Sequence, residues 1–131
     1  MCLYTFQGKA KLALKDIVVY KVLSEGLTSP IMYWYEYVLD TIHVSGMSHT
    51  SIYKWYDGRP LFSVEKGLHS FRNIFAARRL CKSEIKYNTR CCKFYVYKAI
   101  IPVGSYYYIG NNNDIVSDRL IIKRKLWLNL F

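Results

Sequence analysis

The sequence predicts a mainly β chain of the α+β class, folded as a single domain over residues 1–131, with six to eight strands and one or two short helices. Three observations carry that prediction. The run Asp16-Ile-Val-Val-Tyr-Lys-Val-Leu23 is continuously apolar and β-branched apart from Lys21, and Ser24-Glu25-Gly26 ends it, as expected of a central strand buried on both faces. The window from Asn73 to Lys82 repeats Ile74, Ala77, Leu80 and Cys81 at helical spacing. The C-terminal half then orders as strand, helix, strand, turn, strand, from Gly67-Leu68-His69-Ser70-Phe71 through Phe94–Gly104 to Ile115–Ile122.

Each element has a local reason. Residues 1 to 14 alternate apolar and basic side chains without a clear period. Thr28-Ser29-Pro30 marks a loop. From Ile31 to Val44, Ile31, Tyr33, Tyr35, Tyr37 and Leu39 alternate as a strand does, while Met32, Tyr35 and Leu39 also suit a helix face; the aromatic, β-branched content favours strand. Ser51–Tyr56 followed by Asp57-Gly58 reads as strand and hairpin turn. Asn73 is placed to cap a helix of about ten residues, with Arg78, Arg79 and Lys82 on its outer side. Cys91–Ile101 is a long strand, Pro102-Val103-Gly104 a turn, Tyr106–Ile109 a short strand and Gly110–Asn113 a tip loop. Asp118–Lys123 completes the sheet.

Composition narrows the function classes. Hydrophobic residues at 52% and charged ones at 21% exclude wholesale disorder. Nineteen Lys and Arg against nine Asp and Glu give a formal charge of +10, a potential that draws phosphates, nucleotides, nucleic acid or an acidic protein face. Thirteen tyrosines add rings that stack and hydrogen-bond. Met1-Cys2-Leu3-Tyr4 opens no basic leader, and no apolar run approaches the length of a membrane span, so the chain is expected in the host cytosol, away from membranes. Cys2, Cys81, Cys91 and Cys92 contain no Cys-x-x-Cys pair, and with His43, His49 and His69 they show no zinc spacing; reduced thiols and no metal or cofactor are expected.

Motifs in this chain resemble a group of small phage and prophage proteins: Met1–Tyr4, Asp16–Leu23, Gly67–Phe71, Ile100–Gly110 and Val116–Ile122 carry the likeness, while residues 30 to 60 fit it poorly. That resemblance implies a viral origin and brings no reaction with it. A more distant likeness is to the ADP-ribosyltransferase fold. Tyr20-Lys21-Val22 stands where that family has Tyr-Arg-Gly or Tyr-His-Gly, His69-Ser70-Phe71 where its second motif precedes a helix, and Val116-Ser117-Asp118 where its catalytic Glu belongs. All three positions depart from the pattern. Lysine lacks the bidentate fork of arginine, Val22 removes the close backbone approach of glycine, and Asp118 is one methylene short. The resemblance therefore implies a scaffold kept for binding rather than an active transferase.

The expected function is a non-enzymatic phage binding protein, a host-defence antagonist that sequesters a phosphorylated nucleotide-type ligand. His69, Ser70 and Arg72, at a strand end before a helix, are expected to hold phosphate, with Lys21 and Arg119 adding charge. Tyr106 and Tyr108, two apart on a strand, share a face and are expected to stack a base. The alternatives are a protein-interaction module, for which Trp127, Leu128, Leu130 and Phe131 supply an apolar partner or homo-oligomer contact, generic nucleic-acid binding from charge alone, and active ADP-ribosyl transfer.

Overall fold

The structure, a computed structural model, describes residues 3–28, 35–47, 50–87 and 94–126. Among these residues eleven strands and one helix lie in this order: β1 (Leu3–Thr5), β2 (Lys11–Leu12), β3 (Ile17–Ser24), β4 (Ile42–Val44), β5 (Ser51–Tyr56), β6 (Arg59–Val64), β7 (Leu68–Phe71), α1 (Ile74–Tyr87), β8 (Phe94–Ile101), β9 (Tyr106–Ile109), β10 (Asp114–Ser117) and β11 (Arg119–Lys125). They form a three-stranded sheet, β1-β6-β5, and an eight-stranded sheet, β2-β9-β10-β7-β3-β8-β11-β4, whose strands all pair antiparallel.

The mainly β architecture agrees with the sequence expectation, and more strands are present than expected. β1 and β2 arise within residues 1 to 14, where no strand was expected by name, and β6 is the return strand after the Asp57-Gly58 turn. The segment read as one strand from Ile115 to Ile122 is two, divided at Asp118. β10 and β11 are consecutive in the chain, yet they flank the block β7-β3-β8 on its two sides. The sheet must therefore curl until its flanks meet at Asp118. That meeting is hydrogen-bonded: the Asp118 N–H donates to Tyr106 O at 3.1 Å, and the Ser45 N–H donates to Asp118 O at 2.8 Å.

The curl gives the large sheet an inside and an outside. β3 pairs with β8 along its whole length, Ile17 opposite Ile101 through Ser24 opposite Phe94. Its Val19 and Leu23 turn inward to Tyr97, Ala99, Ile101, Ile115, Leu120 and Ile122, the main core. Full burial of each such aliphatic side chain is worth roughly 1.5–3 kcal/mol. Tyr20 and Val22 turn outward, where Phe71, Phe94 and Val96 meet Ala77 and Cys81 of α1. Elsewhere on the outside, Leu3 and Val64 of the small sheet pack on Tyr108 and Val116. Gly67, just before β7 and with φ of 151°, lies against Val116 of the neighbouring β10, where a Cβ would clash with the valine side chain.

Local chemistry sets the remaining ends. Asp57 and Gly58, both at positive φ, make the tight turn from β5 to β6. The Asn73 carboxamide accepts from the Ala76 N–H at 2.8 Å, the expected cap, and α1 runs 14 residues rather than about ten. Among the described residues no helix is long and apolar enough to cross a membrane. Residues 31–34 of the ambiguous aromatic stretch lie outside the described residues; Tyr35–Asp40 is irregular, and only Ile42–Val44 is strand. Cys2, Cys91, Cys92 and the cluster of Trp127, Leu128, Leu130 and Phe131 also lie outside the described residues. Cys81 is a buried thiol, donating to Phe94 O at 3.1 Å.

Candidate functional site

The seven residues singled out in the sequence do not converge on one hollow, and strand alternation explains why. Lys21 lies on the inner face of β3 and is 6% exposed. Its ammonium donates to the His69 carbonyl oxygen and sits 5.2 Å from the centroid of the Tyr37 ring. Burial lowers its pKa from 10.5 to about 8. Ser70 pairs with Ile115, so it too faces inward; it is 2% exposed, and its hydroxyl has no hydrogen-bond partner among the described residues. His69 pairs with Val116 and turns the other way, half-buried on the outside. The Lys21 side chain thus bonds the His69 backbone, while the two side chains lie on opposite faces.

The interior around Lys21 is closed by aromatic side chains. Tyr35 and His43 meet through the Tyr35 hydroxyl and Nδ1 at 2.9 Å, and the Tyr37 and His43 rings are 4.7 Å apart. Burial raises the Tyr37 pKa above its ordinary value. Among the described residues, Lys21 is thus enclosed in the sheet interior rather than presented on a surface.

Tyr106 and Tyr108 do share a face, as their spacing predicts. Both line a cleft of about 310 Å³ with Val44, Gly46, Met47 and Asp118. Asp118 supplies the carboxylate there, and its Oδ1 accepts from the Tyr106 N–H at 2.9 Å. Arg119 is exposed beside it, opposite Val44, and is not part of the lining. An acid-bearing cleft without a cation does not suit a phosphate. Arg72 stands exposed at the entrance to α1, its N–H held by Asn113 O at 2.8 Å.

Cations and a ring do converge elsewhere. A cleft of about 410 Å³ opens between β1, β2, β6 and β9, lined by Phe6, Gln7, Lys11, Arg59 and Asn111 among others, with no carboxylate in its lining. The Arg59 guanidinium lies 4.5 Å from the centroid of Phe6. Stacked this way, arginine keeps its in-plane N–H donors for an acceptor. The floor is rigid. Gln7 donates to Tyr107 O at 3.0 Å and accepts from the Ile109 N–H at 3.1 Å, and Thr5 donates to Ile109 O at 2.6 Å. The side chain of Gln7 thereby continues the edge of β9 beyond β2.

Asn111, whose N–H donates to Tyr4 O at 3.0 Å, also borders a second cleft of about 430 Å³. That one is lined by Phe71, Ala76, Arg79, Asn112 and Asn113, at the start of a helix with no acidic residue in its first turn.

Sequence reasoning missed Phe6, Lys11 and Arg59 because their meeting depends on two remote pairings, Thr5 with Phe62 and Lys11 with Tyr107. Arg79 was legible as part of a basic helix face. No group of three or more His, Cys, Asp and Glu able to hold a metal is present among the described residues. No protein-family model, curated protein or solved structure matches the chain.

Proposed function

We propose that this chain is a small non-enzymatic binding protein that holds a phosphorylated, nucleotide-type ligand in the cleft between β1, β2, β6 and β9. The observation that carries the reading is the meeting of Phe6, Lys11 and Arg59 in one hollow whose lining includes no carboxylate. A planar base adds to the Phe6–Arg59 stack, and the two cations neutralise phosphate, an arrangement that serves anionic aromatic guests in general. The phage-like motifs make sequestration of such a ligand from host defence the corresponding biological role.

The likeness to the ADP-ribosyltransferase fold is kept at the level of a scaffold without its chemistry. Two features support that choice: the carboxylate of Asp118 caps the Tyr106 N–H, and Lys21 is enclosed in the sheet interior. Neither group stands in the Phe6–Arg59 cleft.

Isothermal titration of the full chain with mononucleotides and cyclic nucleotides tests the proposal. Binding is expected, with Arg59→Ala lowering affinity by about 10-fold or more, the worth of a hydrogen bond to a charged group. Flat heats across the panel, or binding indifferent to Arg59, overturn it.

A further inference from the structure

Resting on the proposed nucleotide site, we infer that the natural ligand is a single-stranded nucleic acid, which runs from that cleft past Asn111 to the start of α1 on one side and along β5 on the other. The two clefts are contiguous, since Asn111 borders both. Each has the volume of a small-molecule site, and a mononucleotide would occupy one of them. On the opposite flank, Arg59 pairs with Tyr56 of β5, so the hairpin continues the first cleft without a break.

All six residues of β5 are exposed; Tyr56, at 54%, shares a face with Lys54 and Arg59, Tyr53, at 57%, lies 4.6 Å from the Tyr4 ring, and Trp55, opposite Pro60, turns to the other face of the hairpin. A chain of this size has no folding reason to leave such rings in water. Lys54 lies 5.3 Å from the Tyr56 centroid. Along the track, Lys11, Lys54, Arg59 and Arg79 face a polyanion, and the opposing charges are Asp57 at the hairpin tip and Asp114, whose carboxylate lies beside Gly110 between the two clefts. Rings alternating with cations along an open surface are what unstacked bases and a phosphate backbone require. An acidic peptide strand added to the β5 edge fits less well, because the ladder is interrupted between Ile52 and Lys54, where Tyr53 bulges.

The test is fluorescence anisotropy of the full chain with a labelled single strand of about ten nucleotides, run beside calorimetric titration of a mononucleotide. The strand is expected to bind at least about 10-fold more tightly than the mononucleotide. With four phosphates neutralised, the slope of log affinity against log salt is expected near roughly −3, and Lys54→Ala or Arg79→Ala each reduces its magnitude by about 0.7. Tyr56→Ala, at an exposed position beside Lys54, is expected to lower strand affinity by about 5-fold or more while leaving mononucleotide binding unchanged. Equal affinity for strand and mononucleotide overturns the inference and leaves the proposed function standing. Equal binding of duplex, or full competition by polyglutamate, also overturns it. Absence of binding in both assays removes the inference and the proposed function together.

Discussion

Lys21 and Arg59 are both cations on strands of a basic protein, and the fold uses them in opposite ways. Lys21 is turned into the curl of the large sheet, where its ammonium is held by a backbone carbonyl and a tyrosine ring. Arg59 is exposed at the mouth of a hairpin, stacked on Phe6 beside Lys11. The interior lysine carries a desolvation cost that the fold bears internally, whereas the exterior arginine offers its charge to whatever enters. The comparison teaches that a cation's proximity to a motif in sequence says little about its availability. One step of strand alternation decides it.

The largest test of this contrast concerns Lys21. Its folded pKa of about 8 lies below the unfolded value of 10.5, so the burial penalty is fully present below pH 8, declines as pH rises through that interval, and is gone above the unfolded value. In that interval the unfolded chain binds more protons than the folded one, and stability rises with pH. Relative to Lys21→Met, wild type is expected to gain about 1.4 kcal/mol per pH unit, roughly 3 kcal/mol in all. The measurement is urea denaturation of both proteins from pH 7 to 10.5. Burial also raises the pKa of Tyr37 and of the Cys81 thiol, which lowers stability at the alkaline end in both proteins and cancels in the difference. Parallel profiles would show that Lys21 is not enclosed, and would break the contrast.

The outer face offers a second test, of intermediate size. Gly67→Ala forces a Cβ against Val116 of β10 and is expected to cost about 1–3 kcal/mol in the same assay. Unchanged stability would mean that Gly67 does not lie against Val116. The smallest effect is expected at the helix entrance. Asn73→Ala removes the acceptor for the Ala76 N–H and should lower stability by about 1 kcal/mol, read as a shift in thermal midpoint, with nucleotide binding in the Phe6–Arg59 cleft unaffected.

What was legible in the sequence was local. The β-branched run of β3, the Asp57-Gly58 turn, the Asn73 cap and the shared face of Tyr106 and Tyr108 each follow from a few neighbouring residues, and the structure has them all. The division at Asp118 was not legible. Ile115 and Ser117 face inward before it and Leu120 and Ile122 after it, so the alternation slips by one residue without Gly or Pro to mark the slip. The cleft was hidden for a related reason. Phe6 and Lys11 come from the aperiodic first 14 residues, and Arg59 reaches them only because β6 pairs with β1 and β9 with β2. His69 and Ser70, the residues with the clearest motif, turned out to divide between the two faces of one strand.

The most direct measurement of the central claim is a side-by-side calorimetric titration of wild type, Lys21→Met and Arg59→Ala with one mononucleotide. Wild type and Lys21→Met should bind alike, and Arg59→Ala should bind about 10-fold or more weakly. Loss of binding in Lys21→Met, with Arg59→Ala unaffected, would contradict the assignment and move the ligand to the inside of the sheet.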